Sequence, residues 1–301
     1  MPIAITGGTG FVGRHVLRIA GERGQPTRAL ARSAQSPEPG VTWVPGALDD
    51  AAALAQTCDG VRAVIHIAGV INAPDRAGFA AGNIAGTEAM IAAARNAGIR
   101  RFIHVSSLSA REPGLSDYGW SKAESERVVA ASGLDWTIIR PPAVYGPGDR
   151  EMLELFRLAA KGVVTLPPAG RLSLIEATDL ARLLLDLVDA PDAIGQCYEP
   201  DDGITQGWDH RAFALALGDA VGRRVRPLSI PAPILRFAAK ADGLIRGKRA
   251  KLTADRVRYF CHPDWVVSAT ARPPAAIWQP QVETRAGLKA TAQSYRAAGW
   301  L

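Results

Sequence analysis

Ile3-Ala4-Ile5-Thr6-Gly7-Gly8-Thr9-Gly10-Phe11-Val12-Gly13 stands almost at the start of the chain and decides how the rest is read. Its first residues form an apolar run short enough for a buried strand. A glycine cluster follows, after which Phe11, Val12, Val16, Leu17 and Ile19 recur at helical spacing. The stretch is therefore a strand, a tight turn and a helix. Gly8-x-Gly10-x-x-Gly13 fits the dinucleotide fingerprint, and Gly7 extends it to Gly-x-x-Gly-x-x-Gly. Glycine permits the backbone angles of such a turn, lets a pyrophosphate approach the main chain, and lets the helix pack on its strand. The anion would face the positive helix end and its unpaired N–H groups.

Working outward, further strands are predicted at Thr27–Ala31, Val41–Val44, Val61–Ala68, Phe102–Val105 and Trp136–Ile139, with helices between them, including a long one from Ala77 to Ala97. Strands apolar on both faces and separated by helices make a doubly wound parallel sheet, a Rossmann fold. From about Asp149 the rhythm changes: a helix at Met152–Ala160, a short strand at Leu172–Ile175, a helix at Ala177–Val188, then helices joined by proline-rich connections. The expected organisation is a dinucleotide-binding domain over residues 1–148 and a smaller C-terminal α/β substrate-binding lobe over 149–301, with substrate in the groove between them.

The end of the second strand informs on the cofactor. A site for the unphosphorylated dinucleotide usually places Asp or Glu about 20 residues past the glycines. Here Arg32 stands in that place, which suits a 2′-phosphate and favours NADP, with NAD as the alternative. Asp49 could accept from an adenine amino group, or simply cap the helix that follows.

Tyr118-Gly119-Trp120-Ser121-Lys122 sets a phenol and an ammonium one helical turn apart, on one face. A free tyrosine is a poor acid or base at neutral pH, and a nearby cation would lower its pKa. Ser107 follows the fifth strand, on the sheet edge where ligands of such folds bind, and could hold the reacting oxygen while Tyr118 handles the proton.

Thr6 to Gly13, His66-Ile67-Ala68-Gly69, Asn83 with Gly86-Thr87, Val105-Ser106-Ser107, Tyr118-x-x-x-Lys122 and Arg140-Pro141-Pro142-Ala143-Val144-Tyr145-Gly146-Pro147-Gly148-Asp149 occur in that order. Together they resemble the extended short-chain dehydrogenase/reductase superfamily, of the NAD-dependent epimerase/dehydratase type, over essentially the whole chain. The resemblance implies Ser107, Tyr118 and Lys122 as the catalytic set. It implies Gly7, Gly10, Phe11 and Val12 at the pyrophosphate, Arg32 at the adenosine ribose, and Leu48 and Asp49 near adenine. Ala68 and Gly69 would lie along the cofactor, Lys122 at the nicotinamide ribose, and Pro141 and Val144 beside the nicotinamide. His66 and Asn83 are expected to be structural, and a homodimer through the helices beginning near Ala77 and Asp117 is implied.

Two departures bear on substrate. Ala143 stands where nucleotide-sugar enzymes of this superfamily commonly carry Asn, and the span from Ser107 to Tyr118 is short. The wording around Ala143 is more similar to hydroxysteroid dehydrogenases and dihydroflavonol reductases, which act on apolar carbonyl compounds. The expected activity is hydride transfer between nicotinamide and a carbonyl or hydroxyl carbon. A nucleotide-sugar epimerase or dehydratase is the alternative, and a non-catalytic dinucleotide-binding sensor or assembly subunit the second alternative.

The chain has 301 residues, 48% of them hydrophobic, with three cysteines that show neither metal-ligand spacing nor an even count. No metal site or disulfide framework is expected, no secretory leader fits before the first strand, and a cytoplasmic location follows as the default. The net charge of +6 is concentrated: from Arg236 to Arg258 eight basic residues face two acidic ones, an excess equal to that of the whole chain. A solvated helical face is the favoured reading, ahead of an anionic substrate or peripheral membrane contact. No integral membrane segment is expected, and no nucleic-acid partner, because no stacking aromatics interleave these charges.

Overall fold

The computed structural model describes residues 1–247 and 252–301. Lys248, Arg249 and Lys251 of the basic segment lie outside the described residues. The first half of the chain runs β1 (Ile3–Thr6), α1 (Phe11–Glu22), β2 (Thr27–Ala31), β3 (Val41–Pro45), α2 (Ala51–Cys58), β4 (Ala63–His66), α3 (Arg76–Phe79), α4 (Gly86–Asn96), β5 (Arg101–Val105), α5 (Asp117–Ala130) and β6 (Asp135–Ile139). The second half runs β7 (Ala143–Tyr145), α6 (Leu153–Ala160), β8 (Val163–Leu166), β9 (Arg171–Leu172), β10 (Leu174–Glu176), α7 (Ala177–Asp186), β11 (Gln196–Tyr198), β12 (Trp208–Asp209), α8 (His210–Val221), β13 (Arg226–Ser229), α9 (Ala232–Arg246), α10 (Ala254–Phe260), β14 (Asp264–Trp265) and α11 (Thr284–Ala297).

Seven parallel strands form one sheet in the order β11-β6-β5-β4-β1-β2-β3. This is the doubly wound architecture that the alternating pattern predicts. Every residue of β1 and β4 is buried, as continuous apolar strands covered on both faces require. On one face Leu54, Val64, Met90, Phe102 and Val129 share a core, where full burial of each large side chain stabilises by roughly 1.5–3 kcal/mol. Strand order reverses between β1 and β4, and the crevice beyond the carboxyl ends there is where open α/β sheets bind ligands.

Contacts divide the chain into two compact units: residues 1–141, 178–200 and 273–279, and residues 142–177, 201–272 and 280–301. The division differs from a single cut at 148/149. The chain returns to the first unit so that β11 can pair with β6 and so that Trp278 can donate from its indole nitrogen to the Asp179 carbonyl at 3.1 Å. The second unit has its own core around Tyr145, Phe156, Leu174, Leu217, Leu288 and Tyr295, with the Phe156 and Tyr295 rings edge to face at 5.1 Å.

Two expectations are corrected. The strand predicted over Leu172–Ile175 is two strands in two sheets, because Ser173 interrupts it: β9 pairs with β12 and β14, β10 with β7, and the Ser173 hydroxyl donates to Asp201 at 2.9 Å. The helix predicted over Ala77–Ala97 is not uniform; between α3 and α4 lies a π-helical stretch, Ala80–Ala85. Among the described residues, no helix is long and apolar enough to cross a membrane.

Candidate active site

The glycine turn after β1 is built so that no side chain fits inside it. Gly7 has φ +76°, and a Cβ there would stand 2.7 Å from the Ala68 amide nitrogen. A Cβ on Gly13 would stand 2.0 Å from the Gly7 carbonyl oxygen, so the helix can reach this close to the strand only through glycine. The Gly10 amide donates to the Gly7 carbonyl at 3.0 Å and closes the turn. Gly10 caps α1 without a side-chain hydrogen bond, and the first turn carries no acidic residue. The leading amides of such a helix, Phe11 and Val12 among them, have no partner within the helix itself. These features fit the diphosphate of a dinucleotide.

Farther along the same sheet edge, Arg32 follows β2, exposed and without an ion-pair partner among the described residues. Asp50, not Asp49, caps α2, accepting from the Ala52 and Ala53 amides at 3.0 Å. Asp49 is therefore relieved of the capping role that the sequence left open for it. With Leu48 it borders a groove of about 450 Å³ along α2 and α4, lined also by Ala51, Leu54, Ala89 and Ala93.

After β4, Ala68 and Gly69 are held by a buried relay. The Ala68 amide donates to Thr6 Oγ1 at 3.2 Å, and Thr6 Oγ1 lies 2.8 Å from His66 Nδ1. His66 Nε2 lies 3.1 Å from Thr87 Oγ1, which donates to the Asn83 carbonyl at 2.7 Å. Because the Thr87 proton is committed, His66 must donate from Nε2 and accept at Nδ1, which fixes its tautomer by the network. Burial, and then the Lys122 charge, push His66 down to about 3, so the ring is neutral. Asn83, inside the π-helical stretch, holds the next residue from both sides: it accepts from the Val70 amide at 2.7 Å and donates to the Val70 carbonyl at 3.0 Å. It also donates to Ser121 Oγ at 2.9 Å, and Ser121 donates to the Tyr118 carbonyl at 2.8 Å. One side chain thus ties the loop after β4 to the first turn of α5. A π-bulge at such a place is a recurring device for aiming a side chain.

Ser116 caps α5 by accepting from the Gly119 amide at 2.9 Å, and the helix then presents Tyr118 and Lys122. Ser107, after β5, caps a short 3₁₀ turn, Leu108–Arg111. Its Oγ accepts from the Ser109 amide at 3.2 Å and from Ser109 Oγ at 2.9 Å. With both acceptor positions taken, the Ser107 proton is the part left to give. Ser107 lies close enough to the Tyr118 phenol to favour its charged form. The Lys122 ammonium is buried, donates to the Val105 carbonyl at 2.8 Å, and lies 3.9 Å from where a Cβ on Gly69 would be.

The electrostatics correct one expectation. Burial pushes the Tyr118 phenol above its ordinary value, and Ser107 only partly opposes this. The net direction is upward, not the downward one expected from Lys122. Burial also lowers Lys122 to about 8 against the opposing pull of Glu126. Glu126, one turn on, accepts from Ser106 and takes both Nε and Nη2 of Arg140 at 2.9 and 2.6 Å; Arg140 reaches Glu199 at 3.5 Å. This pairing pins α5 to the end of β6, where the Pro141 carbonyl accepts from the Leu108 amide at 2.9 Å.

Of the residues singled out in sequence, Gly7, Ala68, Gly69, Ser107, Tyr118 and Lys122 thus gather at the carboxyl ends of β1, β4 and β5, while Val144 lies on β7 in the second unit. Ser109 and the Glu126–Arg140 pair were not singled out. Glu126 is visible as the residue four beyond Lys122 on one helix; Ser109 becomes visible only once the 3₁₀ turn folds it back.

A tight glycine turn at a helix N-terminus, a serine, a tyrosine and a buried lysine at one sheet edge are the constellation expected of a dinucleotide-dependent oxidoreductase. The chain belongs to the NAD(P)H-binding family, whose model matches residues 7–191, within the extended short-chain dehydrogenase/reductase superfamily. It is 36% identical to the ceramide reductase of Caulobacter vibrioides, over 99% of this chain and 96% of that protein. It is 26% identical to the UDP-glucose 4-epimerase of Vibrio cholerae, over 98% and 96%. The crystal structure of gox2253 superposes with a TM-score of 0.81 at 20% identity, over 100% of this chain and 99% of that one. NAD(P) is the cofactor of this enzyme class.

Proposed function

We propose that this enzyme uses NADPH to reduce a carbonyl group on an apolar, ceramide-like lipid. The observation that carries the reaction type is Ser107: its oxygen accepts from both the amide and the hydroxyl of Ser109, which leaves its proton to give to a carbonyl oxygen beside Tyr118. The substrate class follows from the ceramide reductase that aligns end to end with the chain, and from Ala143 in place of the asparagine usual in nucleotide-sugar enzymes.

When bound, the nicotinamide supplies hydride at its C4. Ser107 hydrogen-bonds the carbonyl oxygen and polarises it. Tyr118, held protonated by burial, gives its proton to that oxygen as the carbon is reduced. Lys122 supports the phenolate left behind with its positive charge and binds the nicotinamide ribose. Gly7, Gly10 and the amides of Phe11 and Val12 hold the diphosphate; Ala68, Gly69 and Pro141 line its continuation; Leu48 and Asp49 border adenine. Arg32 takes the 2′-phosphate. The reading includes a homodimer through α4 and α5, a cytoplasmic placement in which the thiols of Cys58, Cys197 and Cys261 stay reduced, and peripheral contact with the membrane in which such a substrate resides.

NADPH oxidation by the purified protein, followed with the ketone form of a ceramide and separately with UDP-glucose, tests the proposal. Turnover of the lipid ketone is expected; saturable UDP-glucose binding with no lipid turnover would overturn it in favour of an epimerase. Arg32→Ala is expected to weaken NADPH binding about tenfold, the loss of one charge-assisted contact, and to leave NADH binding unchanged. Equal NADPH affinity in both proteins would remove the role given to Arg32.

A further inference from the structure

Apart from the N-terminal Met1, the four most exposed large apolar side chains among the described residues all belong to α9: Ile234 at 57%, Phe237 at 74%, Leu244 at 88% and Ile245 at 82%. With Ala241 between them, they fall at helical spacing and form one stripe along the helix. The other side of α9 does the packing. Ala239 is buried, and the Asp242 carboxylate accepts from the Leu252 amide at 2.9 Å and pairs with Arg246 at 3.2 Å.

Along one margin of the stripe stand Arg236 and Lys240, both exposed and without an ion-pair partner among the described residues. They open the segment that carries the whole excess of positive charge. A chain rarely leaves so contiguous an apolar surface uncovered unless something outside covers it. A second copy meeting it stripe to stripe would bring the same basic margins together, which like-charge repulsion disfavours. An anionic lipid surface suits both features: apolar side chains enter the acyl boundary while the cations meet the headgroups. At fifteen residues, α9 falls short of the roughly 20 that span a bilayer, so it would lie in the plane of the interface.

We propose that α9 docks the enzyme peripherally on an anionic lipid bilayer, with Ile234, Phe237, Leu244 and Ile245 inserted and Arg236 and Lys240 at the headgroups. The docking stands on α9 itself; only its purpose, access to a membrane-resident substrate, rests on the proposed lipid reductase activity.

The test is co-sedimentation of the full chain with phosphatidylcholine vesicles, with and without phosphatidylglycerol. Binding to the anionic vesicles is expected, weakening as salt is raised. Leu244→Ser with Ile245→Ser should reduce it by at least about tenfold, and Arg236→Gln with Lys240→Gln severalfold, while both variants keep wild-type turnover of a water-soluble ketone. No sedimentation of the wild type, or equal sedimentation of the serine variant, would overturn the proposal. So would a dimer, seen by sedimentation velocity and lost in the serine variant, in a protein that ignores vesicles. Vesicle binding without turnover of the lipid ketone would uphold the docking and reject the substrate; lipid turnover without vesicle binding would do the reverse.

Discussion

At the carboxyl edge of the sheet, Lys122 is only 4% exposed, yet its ammonium has the Val105 carbonyl to donate to, Ser109 donates to Ser107, and Asn83 donates to Ser121. On α9 the situation is reversed, for large apolar side chains are left mostly exposed. The first region sacrifices stability for position, since a buried charge is costly even when satisfied. The second contributes little to folding and gains a purpose only from a surface outside the molecule. A substitution should therefore separate rate from stability in opposite ways in the two regions.

The largest effect is expected from Tyr118→Phe, which keeps the ring and removes the proton donor: turnover should fall roughly 10²- to 10⁴-fold, with NADPH affinity by calorimetry unchanged. Unchanged turnover would break the assignment. Lys122→Met should lower turnover roughly tenfold to hundredfold and yet leave the thermal midpoint at pH 7 no lower, because an apolar side chain replaces a buried charge. The sign with pH follows from the shift. Lys122 loses its proton at about 8 in the folded protein against an ordinary 10.5, so between those values the unfolded chain binds more protons. Wild-type stability should then rise with pH relative to Lys122→Met across that window, while wild-type turnover falls above about pH 8. Denaturant titrations and a pH–rate profile check both.

Ser109→Ala removes one of the two donors to Ser107 and should cost a few-fold in kcat, the scale of one neutral hydrogen bond, with KM for NADPH unchanged. A loss as large as that of Ser107→Ala would place Ser109 at the substrate itself. The smallest effect is expected on α9: Leu244→Ser with Ile245→Ser should change unfolding free energy by no more than about 0.5 kcal/mol. A larger loss would show that the stripe is packed in solution.

Six of the seven strands and the glycine turn were legible because each is a local pattern, an apolar run meeting Gly, Ser or Pro. The seventh, Gln196–Tyr198, was not: three residues with no apolar run become a strand only because β6 offers an edge. Ser107, Tyr118 and Lys122 could be read from spacing and resemblance. The relay through His66, Thr87 and Asn83 could not, since it joins residues from three elements, and the π-helical stretch that aims Asn83 has no sequence period of its own. For the same reason Asp50 could not be told from Asp49 as the cap of α2. The pattern of α9 is that of any amphipathic helix, and only the fold shows that its apolar side is the one left uncovered.

The central claim, net transfer of hydride to a carbonyl carbon, is tested most directly with nicotinamide cofactor deuterated at C4 and the ketone form of a ceramide, the product being analysed by mass. One deuterium per product alcohol, with one oxidised cofactor released, is the expected result. Deuterium retained on the enzyme-bound cofactor, with no label in a reduced lipid, would contradict it.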